Sequence, residues 1–216
     1  MKDERGITLI ELLISIAIAA MLSTVLFTVT FTYYSEVVKS QIASLLAIES
    51  QQVIRTVVDD VRVADSMATT NTITDPNGPP GGWVTSDPSD ILIIESPAYD
   101  SARNVIYDPN TSLPYRNEFV YFRSGTNIYR RTLKNTSATN NIAVTTCPTV
   151  SSTCPADKKL SGYISSLSFT FLDANNATTA SATLARSVLL SLNLSRKTFG
   201  QTITFNNSVQ VTLRNN

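Results

Sequence analysis

Residues 6–31 read GITLIELLISIAIAAMLSTVLFTVTF, and the rest of the chain is arranged around them. From Leu12 to Phe31 no charge interrupts the run. At about 1.5 Å per residue this window is about 30 Å long, the hydrocarbon thickness of a bilayer, so it can span one. A short charged leader, Met1-Lys2-Asp3-Glu4-Arg5, precedes Gly6, and one carboxylate, Glu11, lies just inside the apolar segment. An acid placed in lipid demands a partner or a route back to the interface.

Outside this stretch, composition narrows the options. The chain has 216 residues, 43% of them hydrophobic and 16% charged, enough for one membrane helix and one globular domain of ordinary size. Its 17 basic and 17 acidic side chains balance, and no basic run suggests a nucleic-acid surface. There is no histidine, the commonest general base and metal ligand. No GxSxG, P-loop or GxGxxG motif occurs, so neither a catalytic site nor a cofactor is expected. The oxygen-rich stretches at Asp108-Pro109-Asn110 and Asp173-Ala174-Asn175-Asn176 lack calcium-loop spacing and read as plain turns. Cys147 and Cys154 lie close together in TTCPTVSSTCPADKK. Two cysteines without histidine cannot complete a zinc site, which leaves a disulfide closing a short loop, or free thiols.

Helical character continues beyond the apolar run. From Tyr34 to Met67 there is no Pro or Gly, and Val38, Ile42, Leu45, Leu46, Val53, Val57, Val61 and Ala64 recur at helical spacing. One helix of about 57 residues, about 85 Å long, is expected. Its first half faces lipid and other helices, and its second presents an apolar stripe to a later domain. A coiled coil would need cleaner heptads. Ser23, Thr24, Thr28, Thr30 and Thr32 can bond backbone carbonyls or pack against neighbouring helices. Asp75-Pro76-Asn77-Gly78-Pro79-Pro80-Gly81-Gly82 is a loop, with Trp83 docking it on the domain. Beyond it the period becomes two. Ile91–Glu95 is a short strand, and Phe119–Arg123 with Ile128–Thr132 form a hairpin around a four-residue turn, Ser124-Gly125-Thr126-Asn127. Leu167/Phe169/Phe171, Val188/Leu190/Leu192/Leu194 and Val209/Val211/Leu213 alternate with polar residues. The expected class is α+β: a long N-terminal helix packed against a mostly antiparallel sheet.

Arg5-Gly6-Ile7-Thr8-Leu9-Ile10-Glu11-Leu12-Leu13 resembles the processing site of type IV prepilins and pseudopilins. That resemblance implies cleavage by a prepilin peptidase between Gly6 and Ile7, methylation of the new amine on Ile7, and a register role for Glu11, fifth after the cut. The family usually has Phe after the cut, and here it is Ile7. An amine on Ile7 lies one helical turn from Glu11, so in a staggered stack the amine of one subunit can meet the carboxylate of the next. An uncleaved signal anchor is the plainer reading, with Glu11 reaching to the interface. In order, Ile54-Arg55 through Val58-Asp59-Asp60-Val61-Arg62-Val63-Ala64, Val120-Tyr121-Phe122 with Ile128-Tyr129-Arg130-Arg131, Leu167-Ser168-Phe169 and Val211-Thr212-Leu213-Arg214-Asn215 are together similar to minor pilins and pseudopilins of the PilW/PulJ kind. The implied organisation is a leader at 1–6, a membrane and assembly segment at 7–33, an amphipathic helix at 34–67 and a β-rich head at 68–216. The implied partners are the peptidase, other pilins and the membrane, with the head outside the cytoplasm. The competing class is a signal-anchored extracellular binding domain, such as an adhesin, that never polymerises.

Overall fold

The computed structural model describes residues 8–85 and 90–214. One helix, α1 (Leu9–Val63), runs for 55 residues, followed by strands β1 (Ser66–Ala68), β2 (Ile91–Pro97), β3 (Arg116–Ser124), β4 (Asn127–Leu133), β5 (Lys158–Ser161), β6 (Ile164–Leu172), β7 (Ser187–Thr198) and β8 (Gln201–Thr212). Thus the class is α+β, a long N-terminal helix against antiparallel sheets, as the alternation of periods predicts.

The helix splits by surroundings. Residues 8–34 are all exposed, whereas Ser35, Ile42, Leu46, Ser50, Val53, Val57 and Val61 are buried. Steps of three, four and seven put these on one side of the cylinder. Around that stripe the strands form not one sheet but two, a five-stranded sheet ordered β1-β2-β3-β4-β5 and a three-stranded sheet ordered β6-β7-β8, antiparallel throughout. Leu92, Ile94, Tyr121 and Ile128 from the first meet Phe169, Phe171, Val188, Leu190, Leu192 and Leu194 from the second and the helical stripe in a single core. The far face of the larger sheet carries a smaller cluster, Ala68, Trp83, Ile93, Val120 and Leu133.

Two local expectations are revised. The helix stops at Val63, not Met67, because Asp65 N–H donates to the Glu95 carbonyl (2.9 Å) and Ser66–Ala68 pairs with β2, burying Met67. Sheet pairing here overrides helix propensity. The β3–β4 turn has two residues, since Ser124 and Asn127 pair with each other. Gly125, at φ 61°, occupies the first turn position, as a type II′ hairpin requires.

Candidate functional site

At the start of α1, Thr8 and Glu11 close a reciprocal capping box. The Thr8 N–H and hydroxyl donate to Glu11 Oε2 at 2.9 and 3.0 Å, and the Glu11 N–H donates to Thr8 Oγ1 at 3.4 Å. Each satisfies a backbone donor that a helix start otherwise leaves orphaned, and the carboxylate sits where the helix dipole favours negative charge. The acid entering the apolar segment therefore has an intrachain partner, which the sequence reading did not include. Gly6 and Ile7 lie outside the described residues.

Behind Glu11 the helix offers a bare apolar surface. Its most hydropathic window is long and apolar enough to cross a membrane, and none of that window is buried against the head. Ser15, Ser23, Thr24, Thr28 and Thr32 turn their hydroxyls onto carbonyls four residues back at 2.8–2.9 Å. Internal bonding hides these polar atoms from lipid and leaves side-chain carbons on the surface.

In the head, sulfur and charge are joined in one place. Cys147 and Cys154 form a disulfide with Cα atoms 5.8 Å apart. Asp157 follows closely, and its carboxylate takes Arg131 Nη2 at 2.6 Å, Arg131 Nε at 3.1 Å and the Thr146 hydroxyl at 2.8 Å. Arg131 Nη1 donates to Asp75 Oδ2 at 2.7 Å, and Trp83 Nε1 donates to the same oxygen at 2.7 Å. The guanidinium also lies over the rings of Trp83 and Phe122. Three segments, 75–83, β4 and 145–157, are thus tied by one buried cation. Burial pushes the Asp75 carboxyl up, but the donors Trp83 and Arg131 outweigh it and hold its pKa below the usual carboxylate range. Burial opposes the charge on Arg131 as well, and Asp157 and Asp75 more than restore it.

Sequence reading expected Trp83 to dock the loop but missed this network, because its members lie 26 and 56 residues apart and no short motif links them. Its only local signal was an arginine at an inward position of the β4 alternation. At Asp108 and Asp173 the side chains accept from N–H groups two residues on, closing turns. Among the described residues no group of three or more His, Cys, Asp or Glu is placed to hold a metal.

Opening the disulfide should loosen this corner. The double change Cys147→Ser/Cys154→Ser is expected to cost the head about 2–3 kcal/mol, the chain-entropy value for so small a ring. Thermal melts with and without reductant, the serine variant being insensitive to reductant, check this.

A family model described as the prokaryotic N-terminal methylation motif matches residues 1–27. No curated protein matches the chain. The matched residues carry Gly6, Ile7, the capped Glu11 and most of the bare apolar segment, and this motif on an uncovered membrane-length helix supports a type IV pilin-like, membrane-anchored protein.

Proposed function

We propose that the chain is a minor type IV pilin or pseudopilin, a structural subunit and not an enzyme. A prepilin peptidase cuts between Gly6 and Ile7 and the new amine on Ile7 is methylated. Residues 7–33 then pack with the helices of other subunits, and Glu11 sets their register. Before assembly the protein sits in the cytoplasmic membrane with a single pass and its head outside the cytoplasm. Afterwards it stands in a pilus or pseudopilus, in the periplasm or at the cell surface. The likeness to the PilW/PulJ kind supports a role in priming or tipping such a filament, in a machine for adhesion and motility, DNA uptake or type II secretion.

The observation that carries this reading is the acid in the first turn of a helix whose apolar half the head leaves uncovered. Such a surface is stable only in lipid or against similar helices, and the motif at residues 1–27 supplies a route from the first to the second. Co-expression with a prepilin peptidase is expected to remove MKDERG and leave a mass consistent with methylated Ile7. An unshortened chain overturns the reading and leaves the anchored binding domain in its place. In a processed chain, Glu11→Ala is expected to lower recovery in sheared filaments by about tenfold or more, the effect of losing a charge-assisted bond. Unchanged recovery removes the register role.

A further inference from the structure

Strands β7 and β8 form a long hairpin, twelve residues on each side, paired from Ser187↔Thr212 at one end to Thr198↔Gln201 at the other. At about 3.4 Å per residue it is about 40 Å long, which matches the rise of α1 from Tyr34 to Val61. The hairpin therefore accompanies the covered half of the helix and ends where the uncovered half begins. At that end Phe199 sets its ring edge-on to Phe31, at 5.8 Å between centroids, and to Tyr34, at 6.0 Å. Phe31 lies five residues before Glu36, the first charge after Glu11, and stacks on Phe27, at 6.2 Å.

The turn itself is unusual. Phe199 and Gly200 have φ of 44° and 75°, the pair of positive values of a type I′ turn, whose first position favours Asn, Asp or Gly. A bulky aromatic there is locally unfavourable, and the residue is still 44% exposed. Core packing does not explain the choice. Two cations stand just before it: Lys197 and Arg196 lie two and three residues up β7, both exposed. That places them about 7 and 10 Å from Phe199, across the depth of a headgroup layer. Neither faces a carboxylate within ion-pair distance among the described residues; Arg196 lies over the ring of Tyr163 and donates from Nη1 to its hydroxyl at 3.3 Å. Aromatic residues at the end of an apolar span mark either membrane interface, and the two cations just above them can meet anionic headgroups.

We propose that the β7–β8 tip is a second membrane contact: Phe199 enters the acyl boundary beside Phe31, and Arg196 and Lys197 bind anionic lipid headgroups. The head then stands on the bilayer at two points, α1 and this tip, so that its tilt is fixed before assembly. This inference rests on α1 spanning the membrane.

The test uses the full chain in vesicles of phosphatidylcholine and phosphatidylglycerol with brominated acyl chains. Phe199→Trp puts a reporter at the tip, Leu22→Trp one in mid-span, and native Trp83 on the far face of the larger sheet serves as the reference. The reporter at position 199 is expected to be quenched severalfold more than Trp83. Arg196→Gln and Lys197→Gln are each expected to lower the ratio of docked to lifted heads by about fivefold, as is omission of phosphatidylglycerol in proportion. If the reporter at 199 is quenched no more than Trp83 while the one at position 22 is quenched, the tip stands clear of lipid and the inference falls although the span holds. If neither is quenched, the membrane-spanning reading has failed first. Shielding at 199 that needs a high protein-to-lipid ratio and shows no bromine quenching assigns the tip to a second copy and overturns the lipid contact.

Discussion

Replacing Arg131 by alanine is expected to lower the stability of the head by about 4 kcal/mol, because a buried pair broken from one side leaves an uncompensated charge. The side chains of Arg131, Asp75 and Asp157 are 2%, 1% and 3% exposed, so without the guanidinium two carboxylates would be stranded out of water. For a head of this size the melting temperature should fall by about 8–16 °C. The pH profile provides the sharper signature. In the parent, Asp75 has its pKa held below the ordinary value of 3.8, so its contribution is present above that value and is lost as pH falls through the depressed pKa. In Arg131→Ala the Asp75 carboxyl loses its cation and burial raises its pKa, so the variant gains stability as pH falls from 7 towards 4. Urea melts across that range should show the gap between variant and parent narrowing as pH falls. Parallel profiles would mean the network is less dry than its geometry. Arg131→Lys keeps the charge without the fork and should fall between the two.

Phe169→Ala should cost a similar amount, about 4 kcal/mol, for an apolar reason. Phe169 is fully buried on β6, opposite Leu190, in the core shared by both sheets and α1. Truncation removes a large ring from a packed interior and leaves a cavity that the surrounding strands can close only in part. Phe27→Ala makes the useful comparison, since the same chemistry is deleted from a residue that is 72% exposed. Its effect on denaturant unfolding of the head should be close to nothing. A large loss from Phe27→Ala would mean that the uncovered half of the helix supports the head after all.

Those two phenylalanines mark how far the sequence could be read. Ile42, Leu46, Val53, Val57 and Val61 announced a buried stripe by spacing alone, and Leu167, Phe169 and Phe171 announced a strand face, because each pattern is local and repeats at the period of its own backbone. The α+β class followed from putting the two together. Division into two sheets did not follow, since pairing partners such as Met67 and Ile94 are set by contacts that no window contains. The same distance hid the Arg131 network and the contact of Phe199 with Phe31. At the N-terminus the motif was legible from Gly6 to Glu11, but the Thr8 capping box was not drawn from it, although Thr-x-x-Glu has the spacing of one. The family pattern directed attention to a neighbouring amine and away from the residue three positions back.

That Thr8–Glu11 loop of bonds has a consequence for the proposed assembly. A carboxylate already served by its own chain can wait in oil without cost comparable to a naked ion, and a recruiting neighbour gains only the surplus of an ammonium over a hydroxyl and one amide. In the proposed assembly, docking would trade two neutral donors for one carrying a full charge, and that surplus is what Glu11→Ala removes.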